Sequence, residues 1–338
     1  MKPLGVICPN QADATSLWRG IGPLSDLTHT MPELRLMFTD TFNWSTLAMM
    51  CGVFIQRPMD ENHLSVAIKA KSMHIPVWLD YDDDLLNVQA DNASYNTYSR
   101  EDVRKTIYNL MCQADYISVS TEHLKEIYIE FLMQGGCNKL PHFVVINNAL
   151  DNRMFKPKAR NNPKKRILWR GTETHIRDVM NVAQVIVELS VRNPDYEWMF
   201  VGMRPWFLDG HVKKLLYQPP IDPIKYMAFL KEAEPDIVFT PLFPSTFNKS
   251  KSNIAWIEGT HAGAVCVAPS FDEWMMPGVM NYKDANDLLI TMDHLMKANE
   301  ADKLDLWKDS SDHINDHLLL RQVNEKRKAI VEAFLKAD

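Results

Sequence analysis

The chain has 338 residues, more than one hydrophobic core usually organises, so its length predicts two domains. Apolar residues make up 46% and charged residues 24%, and a net charge of −6 supplies no global field for nucleic acid, although a local basic cleft stays open. No run reaches the roughly 18 apolar residues of a membrane span, no signal pattern opens the chain, and five scattered cysteines without Cys-x-x-Cys spacing indicate neither zinc nor a disulfide framework, so a cytoplasmic protein is expected.

Strand-like and helix-like segments alternate through the first half. Residues 4–8 read as a short apolar strand, followed by a polar loop over 9–15. Next comes a stretch carrying Gly20 and Gly22, whose missing side chains allow close backbone approach to a ligand, with Arg19 as a cation beside them. Strands are expected at 35–38, 53–56 and 77–79, with a helix over 62–73 between the last two. That βαβ pattern implies a parallel sheet. The third strand runs into Asp80-Tyr-Asp82-Asp83-Asp84, four carboxylates within five residues. Their mutual repulsion is costly unless cations or solvent relieve it. Asp82 and Asp83 are therefore expected to face a cleft, with a hard divalent metal at Asp80-x-Asp82 as one alternative and a solvated loop as another. A helix over 99–113, a strand over 116–120, a helix capped by Thr121 and a strand over 143–146 complete this half.

The segment 156–166 is basic and contains Pro157 and Pro163, and reads as an interdomain linker. A strand from Ile167 then runs into Arg170-Gly171-Thr172-Glu-Thr-His175-Ile-Arg177-Asp178. A strand, polar loop and helix in this order form a phosphate cradle, with Arg170, His175 and Arg177 as candidate cations. Asp178 reads as a cap or salt-bridge partner, and His175 reads equally well as a packed turn residue. A strand over 196–202 ends in Gly202, which allows a sugar or base to approach. The apolar run after Asp236 is another buried strand. Behind it come Lys249, Ser250, Lys251, Ser252 and Asn253, then a helix over 252–261 carrying Glu258, then Gly263 and a strand over 264–268. A helix N-terminus preceded by two lysines suits a phosphate, and Glu258 suits a sugar diol. Helices are expected over 226–233 and 285–296, and most of 304–338 reads as helical.

Residues 236–269 resemble the donor-binding signature of the GT-B glycosyltransferases, in particular the retaining family usually numbered four (glycosyl transferases group 1). The match lies in Glu258 and in the Gly263-Ala-Val-Cys-Val turn. One departure is Ser250, where many members carry a first glutamate; the Lys251-Ser252-Asn253 variant resembles a divergent branch, much of it phage-encoded. Asn148 and Asp151 similarly resemble the exit from the N-terminal domain, with Ala149 in place of a glycine. The resemblance implies two Rossmann-like domains with parallel sheets facing a central cleft. The N-terminal acceptor domain would cover 1–155, the linker 156–166 and the nucleotide-sugar donor domain 167–315. A terminal helix over 316–338 would cross back to the N-terminal domain.

The same resemblance implies a retaining transferase that needs no metal and has no cofactor beyond its nucleotide-sugar co-substrate. Asp82, Asp83, Arg177 and Lys251 would serve the chemistry. Gly20, Gly22, Arg170, Gly171, Thr172, His175, Gly202, Ser252, Asn253 and Glu258 would hold the donor. Tyr217 to Ile221 would flank the base, and Ser270 and Phe271 the sugar. The branch points to a hydroxymethylated pyrimidine in DNA as acceptor, in a host cytoplasm if the chain is phage-encoded, with basic segments on the phosphates. A polysaccharide or lipid-linked sugar is the other acceptor. A metal-dependent GT-A enzyme using Asp80 and Asp82, and a non-catalytic sugar-nucleotide binder, are the remaining alternatives.

Overall fold

The computed structural model describes residues 2–8, 13–39, 42–161 and 163–336. Parts of the expected first loop (9–12), linker (162) and terminal helix (337–338) lie outside the described residues.

The apolar runs become two six-stranded sheets in which each pairing is parallel. The first contains β1 (Leu4–Ile7), β2 (Leu36–Phe38), β3 (Gly52–Gln56), β4 (Val77–Tyr81), β5 (Tyr116–Val119) and β6 (His142–Val145). Its order is β2-β1-β3-β4-β5-β6. The second contains β7 (Lys164–Gly171), β8 (Glu197–Gly202), β9 (Leu215–Gln218), β10 (Pro235–Phe239), β11 (Val265–Pro269) and β12 (Val279–Tyr282), in the order β12-β11-β10-β7-β8-β9. Helices cover both faces of each sheet, so every residue of β1, β3, β4, β10 and β11 is buried. The strand order reverses beside β1 in one sheet and beside β7 in the other. Doubly wound sheets bind ligands at such switch points, off the carboxyl ends of the strands.

Helix Leu320–Lys336 returns across the first sheet. Its Asn324 donates to the Pro23 carbonyl at 2.9 Å and to Asp26 at 2.7 Å, and Phe334 packs edge-on against Tyr116. Gly52 has no Cβ because the Phe334 ring occupies that space.

Several expectations need correction. Gly20 and Gly22 sit in no loop: Ser16–Gly20 forms a π-helical turn that continues into helix Ile21–Thr30. A Cβ on Gly20 would lie 2.5 Å from Gln56 Oε1 and 2.7 Å from Cys8 Sγ, and one on Gly22 would strike the Leu17 carbonyl. Gly20 serves packing of this turn against the ends of β1 and β3, and Gly22 serves packing within the turn itself.

Within the basic segment over 156–166, Lys158 and Arg160 are tied to the second sheet's side of the molecule, and β7 already begins at Lys164. Arg160 is buried, donating to the carbonyls of Asp236 and Gly263 at 3.1 Å each and pairing with the Asp236 carboxylate. Lys303 and the Tyr196 hydroxyl converge on the same carboxylate.

Strands β9 and β12 were not foreseen. Both are short edge strands, paired on one side and mostly half-exposed.

Candidate functional site

A cavity of about 430 Å³ lies between the carboxyl ends of the two sheets. Trp18 and Arg19 reach it from behind β1, Arg57 from the end of β3, and Asp82 and Asp83 from behind β4. From the other side come Arg170, Thr172 and His175 after β7, residues 240–242 after β10, and Lys251, Ser252 and Glu258 around helix Ile254–His261.

The acidic run splits by role. Asp80 is 1% exposed and accepts from Arg19 Nη2 at 2.6 Å and Nε at 3.1 Å, with Ser118 Oγ donating at 2.5 Å. Asp84 is fully buried and accepts from the backbone N–H groups of Leu86 and Asn87. These two carboxylates are structural. Asp82 and Asp83 face the cleft, where Arg57 Nε donates to Asp82 Oδ1 at 2.9 Å and Arg57 Nη2 to Asp83 Oδ2 at 3.1 Å. Lys251 Nζ lies 3.0 Å from Asp83 Oδ1. Burial alone would raise the Asp83 carboxyl, but Lys251 and Arg57 hold it well below the ordinary aspartate range. Burial raises Asp82 against the pull of Arg57.

On the opposite wall, Glu258 is 3% exposed and accepts from Arg170 Nε at 3.0 Å. Burial lifts the Glu258 carboxyl above its usual range, with Arg170 opposing. The other carboxylate oxygen, Oε1, makes no hydrogen bond among the described residues. His175 lies close to Lys251 and Asp83, and its Nδ1 is 2.9 Å from Asp178 Oδ2. Thr172 also lines the cavity, its hydroxyl 2.7 Å from that of Thr174. Ser252 accepts from Asn148 Nδ2 at 2.7 Å, and Asn148 also reaches Arg19. Thr121, which caps helix Glu122–Gln134, donates to the Ser250 carbonyl at 3.0 Å. The two halves thus meet through directed hydrogen bonds.

Other expected site residues stand elsewhere. Arg177 is about half exposed, pairs with Asp91 at 3.0 Å and lies over the Phe243 ring. Two residues beyond His175 in a helical turn is about 200° of rotation, which turns Arg177 away from the cleft. Asn253 is buried and donates to the Glu273 carbonyl, acting as a bracket under the cavity. Gly202 has φ +98°, and a Cβ there would collide with the Gly171 carbonyl oxygen. Gly171 in turn makes room for the Trp169 ring. Both glycines shape the ends of β7 and β8 without lining the cavity.

Tyr217 sits on edge strand β9, with its hydroxyl on the Gly202 carbonyl, outside the cavity. Ser270 and Phe271 are also off the lining, where Trp274 stands instead. Arg57, Trp18, Trp169 and Trp274 are lining residues that sequence reasoning missed. Arg57 had a signal: it directly follows β3, at the switch point.

The chain matches no protein-family model and no curated protein. Solved structures do match over nearly its whole length. The HepE protein of Anabaena, crystallised with UDP and glucose, superposes with a TM-score of 0.66 at 10% identity, covering 98% of this chain and 100% of that one. The UDP-forming α,α-trehalose-phosphate synthase of Burkholderia xenovorans gives 0.62 at 11% identity, covering 91% and 76%. The pneumococcal O-GlcNAc transferase GtfA, crystallised with UDP and GlcNAc, gives 0.62 at 11% identity, covering 86% and 59%. This chain has the GT-B fold.

The GT-B architecture removes the GT-A fold as an alternative. Asp80 is closed off by Arg19, and Asp82 is held by Arg57. Among the described residues, no group of three or more His, Cys, Asp or Glu side chains is arranged to hold a metal, and no helix is long and apolar enough to cross a membrane.

Proposed function

We propose that this GT-B chain is a metal-independent, retaining glycosyltransferase that takes a sugar from a nucleotide-sugar donor bound on the C-terminal wall. The observation that carries the reading is Glu258: a buried carboxylate beside Arg170, with one oxygen unpaired among the described residues, on the wall of a cavity at the β7/β10 switch point. A ribose diol fits that oxygen. Lys251 and Arg170, which line the same cavity, supply positive charge to the diphosphate as the glycosidic C–O bond breaks and negative charge grows on the leaving group. Retention follows from the family-four resemblance. The solved relatives crystallised with UDP make uridine diphosphate sugars the first donors to try.

The acceptor hydroxyl enters from the wall carrying Asp82 and Asp83. A saccharide hydroxyl suits this wall better than DNA, because the basic segment offered for phosphate contacts is already engaged. Lys158 and Lys164 pair with Glu234, and Arg160 pairs with Asp236.

The test is a thermal-shift screen against UDP-, GDP-, CMP- and ADP-linked sugars, with and without EDTA. A ligand that binds only the folded state must stabilise it. A rise with one nucleotide class that survives EDTA supports the reading. A shift that requires Mn²⁺, or none with any donor, overturns it. Mass spectrometry of the stabilising donor then separates an enzyme, which hydrolyses or transfers the sugar, from a binder that leaves it intact.

A further inference from the structure

Asp178 is 5% exposed and its two oxygens are fully used. Oδ1 accepts from the Phe243 backbone N–H at 2.8 Å and from Asn248 Nδ2 at 2.7 Å. Oδ2 faces His175 Nδ1 at 2.9 Å. An ionised carboxylate only accepts hydrogen bonds, so the proton in this contact belongs to Nδ1. The neutral imidazole then has its lone pair at Nε2, on the far side of the ring from Asp178. His175 lines the cleft, and Nε2 makes no hydrogen bond among the described residues.

We propose that Asp178 is a positioning residue that fixes His175 as the Nδ1–H tautomer, so that Nε2 accepts a hydrogen bond from a hydroxyl of the donor sugar. The assignment rests on the reading of the cleft as a nucleotide-sugar site. It also revises the expectation that His175 is a cation on the diphosphate. Phosphate oxygens are acceptors without protons at neutral pH, so they have nothing to donate to a bare Nε2. A sugar hydroxyl does. Burial, with the Lys251 ammonium nearby, lowers the imidazole pKa against the opposing pull of Asp178, and the lowered pKa favours the neutral ring. Lys251 is left to carry the charge recognition, and His175 reads the sugar.

The Asp178→Asn variant separates the tautomer from the packing. The Phe243 N–H and the Asn248 amide both need an acceptor at Oδ1, so the asparagine oxygen stays there. Its NH₂ then replaces Oδ2 and donates to Nδ1, which moves the imidazole proton to Nε2.

The experiment is long-range ¹H–¹⁵N NMR of histidine-labelled full-length protein at pH 8, with His175 assigned by its loss in His175→Gln. The wild type should show the Nδ1–H tautomer, and Asp178→Asn the Nε2–H tautomer. UDP-glucose should move the Nε2 resonance, and UDP alone should leave it. In turnover, Asp178→Asn should lower kcat about tenfold or more while the Kd for UDP stays within about twofold.

A cationic or Nε2–H ring in the wild type overturns the proposal, and this readout needs no variant to fold. A Nε2 resonance moved as much by UDP as by UDP-glucose, or unmoved by a stabilising UDP-glucose, overturns the hydroxyl assignment. The predicted tautomer in a chain that no nucleotide sugar stabilises would overturn the transferase reading, and the hydroxyl assignment with it, while leaving the dyad intact.

Discussion

Lys251 and Asp83 close the cleft from opposite walls, Nζ 3.0 Å from Oδ1, and Asp83 shares its charge between Lys251 and Arg57. A diphosphate must take over Lys251 from Asp83 or join it there. Lys251→Ala should therefore weaken UDP binding by about 1.5–3 kcal/mol, the range for a hydrogen bond to a charged group, and should reduce the salt dependence of binding. Isothermal titration at two ionic strengths reads both. The pair itself should persist through the physiological range. The folded Asp83 pKa is depressed, so its stabilisation is present above an ordinary 3.8 and is lost only as the pH falls below that towards the lower folded value. A Lys251→Ala variant with unchanged affinity would exclude the lysine from the phosphate site.

Glu258 and Arg170 give a second, independent test. Glu258→Ala removes the proposed ribose contact and leaves the partly buried Arg170 guanidinium without its partner. Donor affinity should fall by about 1–3 kcal/mol, with a smaller loss for Glu258→Gln, which keeps an acceptor oxygen. Titration of UDP into each variant decides the matter. Equal affinity in all three proteins would move the ribose elsewhere.

The sequence made the inner strands readable because β1, β3, β4, β10 and β11 are covered on both faces and must be apolar throughout. Edge strands carry no such requirement, so they are read less surely: β2 and β6 were foreseen, β9 and β12 were missed. The acidic turn shows where sequence reasoning ends. Four neighbouring aspartates look alike in one dimension, and what separates them comes from afar. Arg19 is 61 residues from Asp80, Arg57 is 25 from Asp82, and Lys251 is 168 from Asp83. Gly20 was read as a ligand contact because a glycine marks only that something comes close. Here the close neighbour is Gln56. Arg177 failed on phase: without the start of the helical turn, its direction relative to His175 was open.

The correction at Gly20 is itself testable. A Cβ there meets Gln56 Oε1 at 2.5 Å and Cys8 Sγ at 2.7 Å, all in the interior. Gly20→Ala should destabilise the chain by about 1–3 kcal/mol through overpacking. UDP affinity measured well below the melting temperature should hardly change. Loss of affinity with unchanged stability would restore the ligand-contact reading.

Asp80 and Arg19 are each 1% exposed, and removing one partner leaves the other as a buried, uncompensated charge. Asp80→Ala should cost about 3–5 kcal/mol in urea denaturation. Asp82→Ala should cost less, since its partner Arg57 is 26% exposed and also reaches Asp83. If Asp82→Ala were the more destabilising of the two, the division of the acidic turn into structural and cleft-facing carboxylates would be wrong.

Glu273 supplies the pH dependence that the Asp83 pair does not. Burial pushes its carboxyl up to about 8 from an ordinary 4.5, with Glu122 adding repulsion, and its Oε1 is buried without a hydrogen-bond partner among the described residues. Between about 4.5 and 8 the folded chain holds this proton and the unfolded chain does not. Stability therefore falls as pH rises through that window. Glu273→Gln is neutral at every pH and should be more stable than the wild type at pH 8.5 by about 1–3 kcal/mol, allowing for partial solvent screening, with little difference at pH 4.5. Urea denaturation at the two pH values measures both gaps. A variant that tracks the wild type across the window would show that Glu273 is solvated and ionised in the folded chain.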